Sequence, residues 1–323
     1  MPILSAPRPR RSHARITALA AIALLGSAIL AACGNDTPAE APFTPTGADS
    51  ALGGGYPRFQ DEATGLSVIL GTPDLAVGNN RFAFVLSDRS GLVRLPVLRI
   101  ASFGPDDDLK AAEQATTSFY EFPLGIRGIH VTELSFDRPG EWTVEVRVPR
   151  PSGDVATTRF PFTVASESES PAVGDEVPRS VSRTLEDVDA LEQLSTGSEV
   201  DAAFYSLSIH EALATGQPSM VVFASPGFCT NALCGPQVEV MSELRAQHPE
   251  GINYIHVDLF ENPVELRTGS LELAIRSPLL EEWRLETDEW TFLIDAAGRV
   301  THRFEAFAPI EELEPALVSL LGE

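Results

Sequence analysis

The sequence predicts two folded parts of different class: an all-β sandwich over residues 56–165, then an α/β domain with a mixed sheet over residues 201–323. Three observations predict this. Short alternating stretches crowd the first part, strand and helix patterns alternate in the second, and an acidic run at residues 166–200 separates them.

In the first part, "RFAFVLSD" at 81–88 sets Phe82, Phe84 and Leu86 on one side. "EWTVEVRV" at 141–148 turns Trp142, Val144, Val146 and Val148 one way, and Thr143, Glu145 and Arg147 the other. A period of two is the mark of a strand with one buried face. "LSVIL", "VLRIASF", "SFYEFPL", "IHVTELSF" and "TRFPFTV" are the remaining strand candidates, with "RPGE" and "PSGD" as turns. Seven short strands in about 110 residues fit an immunoglobulin-like sandwich, here without an internal cysteine pair. His130 falls in one of the strands and is expected to be structural. The acidic run reads as a solvated linker with a short helix near Leu185 to Leu194.

From residue 201 the pattern changes. "SIHEALATGQ" reads as a helix ending near Gly216. "SMVVFAS" at 219–225 is a continuous apolar strand, as expected when both faces are covered. A helix follows from Pro236 to about His248, with Val238, Met241 and Leu244 on one side. "INYIHVDL" is a second strand, "SPLLEEWRL" a helix, "WTFLID" and "RVTHRFEAF" a hairpin around "AAGR", and "PIEELEPALVSLL" a closing helix. The order β-α-β-α-β-β-α, with one βα crossover, implies a mixed sheet flanked by helices.

The chain has 323 residues, 43% of them hydrophobic, and a formal net charge of −23. So large an excess of acid argues against nucleic acid as a partner, since phosphate neutralisation needs basic residues. It favours solubility and repels anionic surfaces. Lys110 is the one lysine; every other basic residue is arginine. Arg8, Arg10, Arg11 and Arg15 precede the apolar run "ITALAAIALLGSAILAA" at 16–32, the pattern of an export signal. "LAAC" at Leu30 to Cys33 resembles a bacterial lipobox, which implies cleavage after residue 32 and lipidation of Cys33. The expected product is anchored to a membrane by that lipid, on the extracytoplasmic face. Loss of residues 1–32 removes four arginines and no acids, taking the charge from −23 to −27. Residues 33–55, rich in Pro, Gly, Ala and Thr, read as a flexible tether spanning about 25 Å.

Of three cysteines, lipidation of Cys33 leaves Cys229 and Cys234 in "SPGFCTNALCGP". Export brings them to an oxidising compartment, where such a pair can form a disulfide. The pair is open to three readings: redox centre, structural staple or metal clip. A staple closing so short a loop contributes about 2 kcal/mol. The redox reading has an electrostatic basis. The start of a helix presents unpaired N–H groups and a partial positive charge, which stabilise a thiolate. Pro236 suits the first turn of that helix, where its missing N–H costs nothing. Pro226 and Gly227 are expected to shape the loop that exposes Cys229.

The apolar strand "MVVFAS", the step Phe228-Cys229, a second cysteine at the head of a helix, and a terminal hairpin plus helix together resemble an extracytoplasmic thioredoxin-like domain. The resemblance covers roughly the last third of the chain. It implies thiol–disulfide exchange on exported proteins, with Cys229 attacking and Cys234 resolving. "CGPQ" at 234–237 also resembles a thioredoxin motif whose last cysteine is replaced, a register in which Cys234 attacks. The family's proline facing the active site is replaced by Trp290, followed by Thr291, so Trp290 is expected to close the groove or form a platform. Val222 stands where thioredoxins often bury an acid. No cofactor is expected. The alternatives are a redox-inactive thioredoxin-fold scaffold and a copper carrier resembling Sco-type chaperones. The carrier needs an imidazole ligand beside the thiolates. His256 and His302 are the candidates; His210 is expected on a surface and His248 at a helix end. Asp258 and Asp295 end strands and are expected to make local turn bonds.

Overall fold

The computed structural model describes residues 55–106, 109–123, 125, 127–228, 236–269 and 271–322, all within one compact unit. It is built from three sheets and a few helices.

Ten strands form the first part: β1 (Arg58–Asp61), β2 (Leu66–Leu70), β3 (Gly78–Asp88), β4 (Gly91–Leu92), β5 (Arg99–Phe103), β6 (Glu113–Thr116), β7 (Ser118–Glu121), β8 (Gly128–Phe136), β9 (Gly140–Pro149) and β10 (Val155–Val164). All seven strands expected from the alternation are among them. The three extra strands are too short to show a period. One antiparallel sheet runs β1-β2-β3-β8-β7 with β4 beside β3; the second runs β10-β9-β5-β6. Their inner faces share one core, in which Phe82, Phe84 and Leu86 meet Trp142, Val144, Val146 and Phe160. Each such side chain contributes about 1.5–3 kcal/mol on burial.

The second part follows the predicted order with one added helix. Its elements are α1 (Ile209–Ala214), β11 (Ser219–Ala224), α2 (Gln237–Gln247), β12 (Asn253–Asp258), α3 (Pro263–Thr268), α4 (Pro278–Glu282), β13 (Trp290–Ile294), β14 (Val300–Glu305) and α5 (Ile310–Leu321). A capping box starts α1: Ser208 Oγ accepts from the Glu211 amide, and the Glu211 carboxylate accepts from the Ser208 amide. The sheet order is β12-β11-β13-β14, with β12 parallel to β11 and the other pairs antiparallel. Every residue of β11 is buried, as its unbroken apolar run predicts. Met220 and Val222 face α2 and α5, while Val221 and Phe223 face Trp283 and the helices α1 and α4.

Two findings depart from the sequence reading. First, β3 and β8 are covered on both faces. Ala83, Val85, Ile129 and Val131 leave the sandwich core and pack with α2, α5 and Phe307. Arg81 donates to Glu312 (Nε to Oε1, 3.0 Å; Nη2 to Oε2, 2.8 Å) and to the carbonyls of Glu305 and Phe307. Arg303 donates to Asp74 Oδ2 and to Ser170 Oγ. These bonds tie β14, the outermost strand of its sheet, to the first part of the chain.

Second, the acidic segment is not a solvated spacer. Its Gly174 amide donates to the Val300 carbonyl, and Val300 donates back to Asp175. Trp283 Nε1 donates to Ser180 Oγ. Val177, Ser180, Ser182, Leu194, Ser195 and Thr196 are buried. Small polar residues satisfy their hydrogen bonds along a neighbouring surface without any apolar period, so composition alone reads them as solvated. In place of one short helix stand two 3-10 turns, Leu185–Asp187 and Leu191–Gln193. Among the described residues, no helix is long and apolar enough to cross a membrane.

Candidate functional site

The region between β11 and α2 is the candidate site. Cys229 and Cys234 belong to residues 229–235, and Cys33 to residues 1–54; all three lie outside the described residues. The two ends of the segment are described. On the entry side, Ala224 closes β11 and a 3-10 turn runs Pro226–Phe228. The Phe228 ring meets Phe260 edge-on, with centroids 6.3 Å apart. On the exit side, Pro236 stands at the N-cap position of α2, one residue before the first turn expected to hold it, and Gln237 is the first helical residue.

A network of polar groups lies against the entry turn. Asp258, at the end of β12, is buried and accepts through Oδ2 from the Thr196 amide at 2.6 Å and from Thr196 Oγ1 at 2.8 Å. Its Oδ1 accepts from the Phe260 amide at 3.1 Å. Thr196 Oγ1 also lies 2.8 Å from Ser225 Oγ and accepts from the Gly227 amide at 3.2 Å. Burial pushes the Asp258 carboxyl up to about 6, against the pull of these donors. Gly227 sits so close to the linker that a Cβ there would overlap the Thr196 carbonyl. Only one of the Asp258 bonds is the local turn bond expected; the others reach a residue 62 positions earlier. Asp295 does behave locally, accepting from the amides of Ala297 and Arg299.

His256 is fully buried beside this network. Its Nε2 lies 3.0 Å from the Ala224 carbonyl, which can only accept, so Nε2 carries the proton. Nδ1 then accepts from Tyr205 Oη at 2.5 Å. Burial lowers this imidazole to about 4 and raises the Tyr205 phenol. Both ring nitrogens are thus engaged in hydrogen bonds. His302 stands on β14 with Nδ1 3.2 Å from Thr301 Oγ1. Among the described residues no cluster of His, Cys, Asp and Glu is arranged to hold a metal. His210 is exposed on α1, and His248 caps the C-terminus of α2. His130 is a satisfied core histidine, 3.2 Å from Thr117 Oγ1 and 3.1 Å from the Val93 carbonyl.

Trp290 and Thr291 open β13 opposite Phe223 and Val222. Trp290 is 1% exposed and stacks on Phe292 at 5.5 Å. It is part of the α1/α4 core, and this burial corrects the expectation of an exposed platform. Thr291 is 0% exposed, and its Oγ1 has no hydrogen-bond partner among the described residues. Sequence reasoning missed Thr196, Ser225 and Gln237, whose partners are remote and whose surroundings carry no period. Two cavities lie nearby. One of about 150 Å³ is lined by Arg183, Tyr205, His256, Asp258 and Glu261. A cleft of about 1150 Å³ lies between the sandwich and β14, and its inner arginines, Arg81 and Arg303, are paired with Glu312 and Asp74.

No family model matches the chain, and no curated protein matches it. Among solved structures it is similar to the crystal structure of the PmoD soluble domain from Methylocystis sp. (Rockwell), with 17% identity over 31% of this chain and 90% of that one and a TM-score of 0.23.

Proposed function

We propose that this is a lipid-anchored, extracytoplasmic thiol–disulfide exchange protein whose C-terminal part has a thioredoxin-like fold and whose N-terminal part is an immunoglobulin-like sandwich. The observation that carries the reading is topological. The segment holding Cys229 and Cys234 joins the central strand β11 to α2, in a sheet of order β12-β11-β13-β14 that is closed by α5. Loops leaving the carboxyl end of a central strand for a helix are where α/β sheets present their chemistry, and the start of a helix favours a thiolate. The two-sheet division, with β3 and β8 in one sheet and β5 and β9 in the other, supports the immunoglobulin-like assignment.

In the proposed reaction, the Cys229 thiolate attacks one sulfur of a disulfide in an exported protein and expels the other as a thiolate. Cys234, once deprotonated, attacks the mixed disulfide; the substrate leaves reduced and the pair oxidised. Run backwards, the same steps oxidise a dithiol.

The test is a redox titration of the chain from Gly54 onward in dithiothreitol buffers of graded potential, read by alkylation and mass spectrometry. A midpoint between roughly −120 and −270 mV supports exchange. A pair that stays oxidised below about −300 mV overturns it and makes the disulfide a staple.

A further inference from the structure

The linker carries a residue that serves the candidate site. Thr196 is one of the most fully used side chains in the described chain. Its Oγ1 donates to Asp258 Oδ2 and has two acceptor positions, matched by Ser225 Oγ at 2.8 Å and the Gly227 amide at 3.2 Å. Its own amide is the second donor to Asp258. Arg267, from α3, holds the stretch from the other side by donating to the Ser195 and Glu192 carbonyls. Thr196, Ser225 and Asp258 are all buried, and Gly227 is pressed on the Thr196 carbonyl with no room for a side chain. These contacts bind three separate elements: the linker, the end of β12, and the turn that leads into Cys229.

We propose that Thr196 and Asp258 are positioning residues for cysteine chemistry: through Thr196 Oγ1, the Asp258 carboxylate fixes the turn Ser225–Phe228 and so sets the reactivity of the pair that follows it. This rests on the thiol-exchange reading above. Ionised Asp258 can only accept, so the Thr196 hydroxyl donates to it, the Ser225 hydroxyl is also within its reach, and Thr196 Oγ1 accepts from the Gly227 amide. A protonated Asp258 lifts that constraint, because its own O–H can donate to Thr196. Since burial has raised this carboxyl to about 6, the change falls in an accessible range. The ionisable groups around it are Tyr205, neutral His256 on the same strand, Arg267 behind Ser195, and Arg183 and Glu261 across the small cavity. That cavity leaves Asp258 a route to exchange its proton with water.

The experiment uses the full-length chain with Cys33→Ser, so that only the pair reacts, and follows the rate of reduced protein with a small aromatic disulfide against pH. Thr196→Val and Asp258→Asn are each expected to slow the reaction at neutral pH by about tenfold, the factor one ordinary hydrogen bond supplies. Thr196→Ser restores it. The advantage of the unsubstituted chain over Thr196→Val shrinks as the pH falls below about 6. A rate ratio near one, or one that stays constant across pH while the unsubstituted pair reacts, overturns the positioning role and leaves the exchange reading standing. A pair that does not react even in the unsubstituted chain overturns both. If Asp258→Asn fails to fold, the comparison of Thr196→Val with Thr196→Ser decides, each checked by its melting curve.

Discussion

Gln237 and Ala308 are joined twice. The Gln237 side-chain amide donates to the Ala308 carbonyl at 3.2 Å, and the Ala308 amide donates back to Gln237 Oε1 at 2.9 Å. Both residues are buried. The first residue of α2 is thereby clamped to the loop that follows β14, whose Phe307 packs on Phe122 of the sandwich with ring centroids 4.3 Å apart. Gln237→Ala leaves a buried N–H and a buried C=O unpaired. It is expected to cost about 2–4 kcal/mol, since each orphaned group costs about 1–3 kcal/mol. The check is the urea midpoint, which should fall with the slope unchanged. A shift under about 0.5 kcal/mol would mean that water replaces the amide at no loss.

Arg81 ties the two parts together. Its side chain is 11% exposed, that of Glu312 is 14% exposed, and the guanidinium also serves the Glu305 and Phe307 carbonyls. Arg81→Ala strands a largely buried carboxylate and two carbonyls, and should destabilise by about 3–5 kcal/mol. The double variant with Glu312→Gln should recover part of that, because the uncompensated charge is gone. A double-mutant cycle measures the coupling; a coupling near zero would show that the bonds to the carbonyls alone hold the parts together.

How far the fold was legible depends on whether a residue's partners lie within its own element. Phe82, Phe84 and Leu86 could be assigned to one face because period-2 alternation is local. Ala83 and Val85 could not be assigned to a second core, because α2 and α5 lie well over a hundred residues further along the chain. The unbroken run of β11 announced a strand buried on both sides, and the hairpin β13–β14 was marked by its turn. The burial of Trp290 was not legible, since nothing in "DEWTFLID" reveals that it joins the same core as Trp283. Thr196 was invisible for a related reason: "STGS" has the composition of a spacer, and its role comes from Asp258 and Gly227, to which it is joined only by folding.

Glu305 gives a pH prediction of definite sign. Its carboxyl is buried, accepts from Thr287 Oγ1 at 2.6 Å and from the Asp74 amide at 3.1 Å, and lies at the junction of the two parts. Burial pushes it up to about 8 from an ordinary value of 4.5. Between those two values the folded chain holds a proton that the unfolded chain has released, so stability declines as the pH rises through that window. Glu305→Gln keeps the shape and removes the titration. The difference in melting temperature between the two chains should therefore grow in favour of the variant from about pH 5 to about pH 8. A constant difference would mean that Glu305 stays ionised when folded, held by the nearby Arg303.

Thr291 offers the opposite kind of change, a substitution that should stabilise. Its hydroxyl is sealed between β11 and β14, opposite Val222 and Phe304, with no hydrogen-bond partner among the described residues. A buried hydroxyl without a bond costs about 1–3 kcal/mol relative to one in water. Valine has nearly the same shape and suits a strand, so Thr291→Val removes the polar atom without opening a cavity. The expected gain is about 1 kcal/mol, read as a rise in melting temperature of about 2–4 °C. Trp290 is not the residue to test in this way, although its indole N–H also has no partner among the described residues, because any smaller side chain there would leave a hole against Phe292. If Thr291→Val lowers the melting temperature, the hydroxyl has a partner in the folded chain, either a buried water or a group outside the described residues, and the side of the sheet that carries α2 and α5 is where to look for it.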